Sequence, residues 1–297
     1  MVTTILKARS FATASISPDG LLLAATDLHN YLYIVDLETG ELLFERELKR
    51  NLESLRFDRP GKRLFLNDRI GVKILQIPSF TQILLPATDE FEDATGLSFL
   101  DSKVSGETLF FLPSNGNIYA CDSSGECCLP VAFVPYNTID GQYLGTASNK
   151  LILSALEGVP QIAVANLEVD GLLQKIVSVS EWEEAELLGV ASDGRIALFQ
   201  HNDFTIRDLN WAERSRWKLP VPTPVHLCAI SQSLDTLCVI DRESNRCNLF
   251  DTATGQQTGY VTAGDSGATS IVFVEQNGNK KLACSMSDGT ILLVPIA

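Results

Sequence analysis

Residues 15–43 read SISPDGLLLAATDLHNYLYIVDLETGELL, a series of short apolar runs separated by polar breaks. Short runs rich in Leu, Ile, Val and Tyr and bounded by Gly, Asp, Asn or Pro predict β-strands joined by tight turns. The Pro-Asp-Gly at residues 18–20 and the Thr-Gly at residues 39–40 mark two of those turns. This stretch therefore predicts a small antiparallel sheet, and the next question is whether the rest of the chain repeats it.

The unit recurs along the whole chain. The large or branched apolar residue that ends its first run has counterparts at successive gaps of 41, 42, 45, 46, 40 and 43 residues. These anchor residues are Ile16, Phe57, Phe99, Leu144, Val190, Ile230 and Phe273. Each unit holds three or four apolar runs, and four strands at a period of 40–45 residues is typical of a β-propeller blade. The sequence therefore predicts an all-β, seven-bladed β-propeller with four-stranded antiparallel blades.

The two ends of the chain fit this prediction. The seventh unit ends after its third run, whereas the apolar run at residues 2–8 precedes the first unit. Pairing residues 2–8 with residues 290–296 would supply the outer strand of the last blade and close the ring. Because the period shows no break, we expect residues 1–297 to form one domain.

Several turns carry a family resemblance. The chain resembles WD40-type propellers and the related YVTN-type propellers at Ser17-Pro18-Asp19-Gly20, at Tyr33-Ile34-Val35-Asp36 with Thr39-Gly40, and at Leu249-Phe250-Asp251 with Thr254-Gly255. No blade has the Gly-His pair or the Trp-Asp pair of WD40 repeats, so their hydrogen-bonded tetrad is not expected. The resemblance implies a β-propeller made of WD-like repeats, a fold that serves both scaffolds and enzymes.

Composition narrows the class of protein. The chain is acidic, with a formal net charge of −14, which disfavours nucleic acid because phosphate binding relies on Lys and Arg. No segment reaches the roughly 18 uninterrupted apolar residues of a membrane span, and the N-terminus is a poor secretory signal. The seven cysteines contain no CxxC pair, so buried free thiols in a reducing, cytoplasmic compartment are expected rather than a disulfide framework.

The predicted turns fall on two faces. In a four-stranded blade with strands a to d, the a–b and c–d turns lie on one face, where Pro-Asp-Gly and Thr-Gly would be structural. The b–c turns and the d–a connections lie on the other face and have less uniform sequences. We expect this second face to be the functional one. Its b–c turns lie at residues 27–30, 67–71, 114–117, 200–203 and 241–246.

Counting four residues back from each anchor gives the entry of each inner strand, at the mouth of the ring on that second face. One entry is Ala12, and the other six are polar. The six polar entries, together with Arg56, the other two histidines and Trp182, form the predicted partner-binding set: Glu53, Arg56, Thr95, Asp140, Glu186, His226, Thr269, His29, His201 and Trp182. Trp211 and Trp217 flank the c–d hairpin of the fifth blade on the opposite face. For each tryptophan, either a partner contact or blade packing remains open.

Two functions remain open. The favoured one is a non-enzymatic scaffold that presents the polar d–a/b–c face to a neutral or basic protein or peptide, without nucleic acid or membrane. The alternative is an enzyme or small-ligand binder, lactonase- or lyase-like, in which His226, Glu53 and Asp140 act as bases or ligands in the central pocket. These residues and Glu186 could hold a metal, but no short ligand spacing supports that, so no metal or cofactor is predicted.

Overall fold

The computed structural model describes the backbone of most of the chain, as several separate ranges. These are residues 3–7, 11–52, 54–68, 71–83, 98–102, 107–112, 117–122, 128–133, 138–143, 150–157, 159–166, 174–175, 177–178, 185–191, 193–200, 202–208, 210–220, 223, 227–262, 266–276 and 278–296. Within these ranges, no helix has the length and apolar character needed to cross a membrane.

The chain divides into two compact units. Unit 1 comprises Met1–Asn51 and Leu188–Ala297, and unit 2 comprises Leu52–Leu187. We number the sheets by their position in the chain and call the first four strands of each sheet a to d. The prediction of one domain over residues 1–297 stays a prediction.

Unit 1 carries four antiparallel sheets in the described residues. Sheet 1 consists of β2 (Phe11–Ile16), β3 (Leu22–Asp27), β4 (Tyr31–Asp36) and β5 (Leu42–Glu47). Sheet 5, which begins at the boundary of the units, consists of β19 (Glu186–Val190), β20 (Ile196–Gln200), β21 (Asp203–Arg207) and β22 (Glu213–Lys218). Sheet 6 consists of β23 (Cys228–Ile230), β24 (Thr236–Asp241), β25 (Arg246–Asp251) and β26 (Gln257–Thr262). Sheet 7 consists of β27 (Ala268–Gln276), β28 (Asn279–Met286), β29 (Thr290–Pro295) and β1 (Thr3–Lys7).

Unit 2 carries three sheets in the described residues. Sheet 2 consists of β6 (Ser54–Phe57), β7 (Arg63–Asp68), β8 (Gly71–Gln76) and β9 (Thr81–Ile83). Sheet 3 consists of β10 (Ser98–Ser102), β11 (Thr108–Leu112), β12 (Asn117–Asp122) and β13 (Cys128–Phe133), with β17 (Gln174–Lys175) added in parallel beside β13. Sheet 4 consists of β14 (Thr138–Tyr143), β15 (Lys150–Glu157), β16 (Val159–Asn166) and β18 (Val177–Ser178).

The all-β class and the propeller-like four-stranded antiparallel sheets are confirmed, but the prediction of seven four-stranded blades is wrong, because only six of the seven sheets formed by the described strands have four strands. Sheet 3 gains β17 as a fifth strand. The segment that contributes β17 and β18 comes from the least regular part of the repeat. There, two strands of only two residues each pair with different sheets. Strands of two residues are too short to show an alternating pattern in the sequence, so their pairing could not be predicted.

The predicted pairing of the chain ends is confirmed. Strand β1 runs antiparallel to β29, with Thr3 opposite Leu293 and Lys7 opposite Thr290. Ile5 is buried in the cluster that sheet 7 shares with sheet 1. The N-terminal run therefore completes a sheet whose other three strands come from the C-terminus, so that backbone hydrogen bonds join the two ends of the chain.

Four of the seven repeat anchors lie at the strand end that their spacing predicts. Ile16, Phe57, Val190 and Ile230 each end the first strand of a sheet, and Phe273 lies within β27. Phe99 also lies within the first strand of its sheet, whereas Leu144 falls outside the described residues. Phe99, Ile230 and Phe273 contribute to apolar clusters between neighbouring sheets, which explains an apolar residue at these anchors.

The apolar core of unit 1 lies between successive sheets. One cluster joins sheets 5 and 6 around Phe204, Leu237 and Phe250. A second cluster joins sheets 6 and 7 around Leu249, Phe273 and Cys284, and a third joins sheets 7 and 1 around Val35, Val274 and Leu293. These three clusters thus bury the facing sides of sheets 5 and 6, of sheets 6 and 7, and of sheets 7 and 1.

Sheets 2 and 3 of unit 2 are joined by an aromatic cluster. The rings of Phe65 and Phe99 stack with centroids 3.6 Å apart, and Phe111 packs against both rings at an angle. Asn67, which is almost fully buried, donates from its side-chain amide to the Ser54 Oγ over 2.6 Å and accepts from the Phe99 N–H over 3.2 Å. A polar bridge therefore fixes the register of β10 against β7.

The cysteine prediction is correct for one group and wrong for another. Cys238, Cys247 and Cys284 are reduced and buried between sheets 6 and 7, as the apolar sequence around them predicts. Cys121 is instead disulfide-bonded. The backbone of Cys121 in β12 lies opposite that of Cys128 in β13, and no CxxC spacing in the sequence predicted a disulfide at Cys121.

Candidate functional site

In unit 1, the two turn-bearing edges of the sheets use their polar residues differently. We call the edge with the a–b and c–d turns the a–b edge, and the edge with the b–c turns and d–a connections the b–c edge. The difference is clearest in unit 1, where the side chains of sheets 1, 5, 6 and 7 are described most completely.

The a–b edge of unit 1 links neighbouring sheets. The Arg195 guanidinium of sheet 5 donates to the Ser233 carbonyl of sheet 6 over 2.9 Å. The Glu275 carboxylate of sheet 7 accepts the Gln232 N–H of sheet 6 over 2.5 Å, and Lys280 pairs with Asp235 between the same two sheets. Burial raises the pKa of Asp235, but hydrogen bonds from Lys280 and from serine and threonine hydroxyls outweigh it and hold that pKa well below its usual range. The polar groups of this edge thus hold the sheets together.

Sheets 2 and 3 of unit 2 show the same use of the a–b edge. The Arg59 guanidinium donates to both carboxylate oxygens of Asp101, with Nη2 to Oδ2 at 2.8 Å, and the Arg59 N–H donates to Ser102 Oγ over 3.0 Å. Asp58, next to Arg59, is fully buried and caps its own turn by accepting the Lys62 and Arg63 N–H groups. Burial raises the pKa of this carboxyl group above its usual value.

The b–c turns are shaped by an aspartate at the end of strand b. Asp27 accepts the His29 and Tyr31 N–H groups over 2.9 and 2.8 Å, and its second oxygen accepts the Tyr33 hydroxyl over 3.1 Å. Burial raises the pKa of Tyr33 to about 12, and the adjoining Asp27 adds to the effect. Asp241 in sheet 6 accepts the Glu243 and Ser244 N–H groups in the same manner. These carboxylates fix the backbone conformation of the turns, and the side chains at the turn tips take no part in those hydrogen bonds to Asp27 and Asp241 through the backbone N–H groups.

The tips of the b–c turns face solvent. Leu28 is 66% exposed, the largest fraction among the described large apolar side chains, and His29 beside it is exposed as well. In sheet 6, Arg242, Glu243 and Ser244 are all exposed. An apolar and charged set of side chains is thus presented on turns whose backbone is already ordered by hydrogen bonds.

A pocket of about 310 Å³ opens beside the sheet 6 turn. We call it the sheet 5/6 pocket. Its apolar lining comes from the end of sheet 5 and from sheet 6: Leu219, Pro220, Leu227, Val239, Ile240 and Phe250. Its polar lining is Thr223, Asp241, Arg242, Glu243 and Asn248. The pocket lies wholly within unit 1 at the b–c edge.

The structure describes the side chains of four predicted partner-binding residues. His29 and Glu186 are exposed, and the exposed Thr269 donates to the Ser285 carbonyl of its own sheet over 3.1 Å. Arg56 is half-buried, and its guanidinium donates to the Leu100 carbonyl of sheet 3, so it has a structural contact that sequence did not indicate. The partner-binding role of all four stays a prediction.

The other predicted residues are described partly or not at all. Asp140 is described by its backbone alone, within β14. The remaining five lie outside the described residues: Glu53, Thr95, His201, His226 and Trp182. Among the described side chains, no group of three or more His, Cys, Asp or Glu residues is arranged to hold a metal ion.

Trp217 is a packing residue. Its ring lies between Phe204 and Phe250, at centroid distances of 5.0 and 5.6 Å, and its indole N–H donates to the Thr252 carbonyl over 2.9 Å. Sequence analysis left either a partner contact or blade packing open for this tryptophan. The structure shows Trp217 packing sheet 5 against sheet 6. Trp211 ends the c–d turn of sheet 5 with a positive φ of 63°.

The sequence matches no model of a known protein family, and a search of curated proteins finds none similar to it. The class of protein therefore rests on the structure alone, as a set of propeller-like four-stranded antiparallel sheets.

Proposed function

We propose that the chain is a non-enzymatic interaction scaffold that binds a protein or peptide partner through its b–c edge. The observation that carries the proposal is the difference between the two edges in unit 1. The a–b edge uses Arg195, Glu275 and Lys280 to join sheets, whereas Leu28 and Glu243 on the b–c edge are turned to solvent. An exposed leucine next to an exposed histidine, on a turn ordered by hydrogen bonds, can contribute an apolar contact to recognition of another protein.

The charge of the chain supports a neutral or basic partner. With a formal net charge of −14, the protein would repel acidic proteins and nucleic acid and attract basic segments. The predicted mouth residues, including Glu53, Asp140 and Glu186, belong to the same proposal because they would add carboxylates to the same face.

The proposal extends to family and compartment. We propose a distant relationship to WD40- and YVTN-type propellers, supported by the four-stranded sheets and by turns such as Ser17-Pro18-Asp19-Gly20. A cytoplasmic location is supported by the reduced thiols of Cys238, Cys247 and Cys284, although the disulfide at Cys121 argues for an oxidising environment.

Affinity capture from a lysate of the source cells tests the scaffold function. The variants are Leu28→Asp with Glu243→Lys on the b–c edge, and Glu38→Lys on the c–d turn of sheet 1. Glu38 is a matched control, since Glu38 and Glu243 are both exposed and both donate their N–H to an aspartate two residues earlier. We expect the double variant to lose specific partners and Glu38→Lys to retain them. Retention by both, with unchanged yield, would reject the b–c edge as the binding surface.

A further inference from the structure

The inner wall of the sheet 5/6 pocket is apolar, as a binding site for an apolar group requires. Leu219, Leu227, Val239 and Phe250 line the pocket and are all buried. Leu219 follows the last strand of sheet 5, Leu227 directly precedes the first strand of sheet 6, and Val239 and Phe250 lie in strands b and c of sheet 6. The same faces of Val239 and Phe250 belong to the core between the two sheets. The pocket therefore lies against the packed core between sheets 5 and 6.

The size of the pocket limits its occupant. Small-molecule sites have volumes of about 300 to 1,000 Å³, and this pocket, at about 310 Å³, lies at the lower limit. That volume suits one large side chain better than an extended cofactor. Interfaces between proteins commonly depend on such an anchor, an aromatic or aliphatic side chain inserted into a preformed pocket.

The rim of the pocket adds a charge preference. Asp241 and Glu243 contribute two carboxylates and Arg242 one guanidinium. Arg246 lies opposite Asp241 on strand c, so that Glu243 is the carboxylate of the rim farther from this arginine in the strand pairing. The carboxylate of Asp241 caps the turn through the N–H groups of Glu243 and Ser244, and it also accepts the Ser244 hydroxyl over 2.6 Å. Glu243 is exposed, so its carboxylate is the rim group best placed to meet a cation of a partner.

We infer that the sheet 5/6 pocket binds a large apolar side chain of a partner peptide that carries Lys or Arg beside that side chain. The inference rests on the proposed scaffold function and specifies the partner. The apolar side chain fills the floor between Leu219 and Phe250, while the basic residue lies against Glu243. The acidic charge of the whole chain draws such a peptide to the protein before it docks.

Selection from a displayed library of random decapeptides on the full-length protein tests this inference. We expect enrichment of peptides with Trp, Phe or Leu next to Lys or Arg. Thr223→Trp, which places a large ring at the mouth of the pocket, should weaken a fluorescein-labelled enriched peptide about tenfold or more. Glu243→Lys should weaken it about threefold, and Glu38→Lys should leave its affinity unchanged.

Three results would overturn the inference: no enriched peptide, an enriched peptide that binds Thr223→Trp as tightly as the parent, or selection of acidic flanks. Circular dichroism shows whether Thr223→Trp is folded. If Thr223→Trp is unfolded, the inference is tested with Glu243→Lys alone. This variant should bind an enriched peptide more tightly when the flanking Lys of the peptide is changed to Glu. Loss of cellular partners by Leu28→Asp with Glu243→Lys, combined with their retention by folded Thr223→Trp, would reject the pocket but leave the scaffold function standing.

Discussion

The indole N–H of Trp217 donates to the carbonyl of Thr252 over 2.9 Å, so the outer strand of sheet 5 is joined to the c–d turn of sheet 6. Ser215 donates its hydroxyl to the same carbonyl, also over 2.9 Å. One turn carbonyl thus receives two side chains from the neighbouring sheet. The a–b edge of unit 1 is thus used for packing between sheets, and the binding surface is therefore proposed at the b–c edge.

The packing of Trp217 predicts that alanine substitution destabilises the protein unequally at two glycines that occupy the same turn motif. Gly40 and Gly255 each follow a threonine in a c–d turn and have φ values of 74° and 70°. A Cβ at Gly40 would meet no atom within 4 Å, whereas a Cβ at Gly255 would lie 2.6 Å from the Trp217 ring. We expect Gly40→Ala to lower the free energy of unfolding by about 1 kcal/mol through backbone strain alone. Gly255→Ala should lower it by about 3 kcal/mol, because the clash adds to that strain.

Urea unfolding followed by circular dichroism measures the difference between the two alanine variants. Gly255→Ala combined with Trp217→Ala provides the control, since removal of the ring should abolish the clash. Equal destabilisation by Gly40→Ala and Gly255→Ala would contradict the packing role of Trp217.

The buried bridge at Asn67 predicts a large loss of stability in unit 2. Asn67→Ala leaves the Phe99 N–H without its acceptor in a buried position, at a cost of about 2 to 3 kcal/mol in the free energy of unfolding. Lys62→Ala, at an exposed position in the same sheet, should change that free energy by less than about 0.5 kcal/mol. Thermal unfolding of both variants compares them. Similar melting temperatures for the two would show that Asn67 does not fix β10 against β7.

The turn aspartates predict a loss of stability in acid. Hydrogen bonds from Thr39 lower the pKa of Asp36, and hydrogen bonds from Ser244 and Thr254 lower the pKa values of Asp241 and Asp251. A carboxyl group with a lowered folded-state pKa stabilises the fold above its unfolded value of about 4, and this contribution is lost as the pH falls through the folded-state pKa. We therefore expect stability to fall below about pH 4.

Replacing these three aspartates by asparagine keeps the turn acceptors but removes their titration. The triple variant should lose less stability than the parent between about pH 4 and pH 2.5 in urea titrations. Glu38→Gln, an exposed neighbour in the sheet 1 turn, serves as the control. Parallel pH profiles for the triple variant and the parent would refute the assignment.

The burial of Cys238 and Cys284 predicts slow alkylation of these two thiols. Burial raises the pKa of the Cys238 thiol, and a hydrogen bond with Cys247 together with burial raises that of Cys284. Because the thiolate is the reactive form, both residues should resist iodoacetamide at pH 8 in the native protein and react in urea. Mass spectrometry of the peptides measures this, with the half-buried Cys228 as an internal comparison. Rapid native modification of Cys284 would disprove its burial.

The sequence predicted the strands and the pairing of the chain ends because these depend on local periodicity and on turn residues. The anchors Ile16 and Phe273 lie in inner strands, and residues 3–7 pair with β29 as expected. Contacts between sheets could not be predicted, since they depend on register. The bridge from Asn67 to Phe99 and the guanidinium contact of Arg56 join residues 32 and 44 positions apart. The turn-capping role of Asp27, Asp36 and Asp241 could have been predicted from the sequence, because each aspartate ends a strand just before a turn.

Hydrogen–deuterium exchange of the full chain, alone and with its captured partner, tests the central claim most directly. We predict that partner binding slows exchange at residues 27–30 and 241–246, on the b–c edge, and leaves exchange at residues 36–40 and 251–255, on the opposite edge, unchanged. Slowed exchange confined to residues 36–40 and 251–255 would contradict the account.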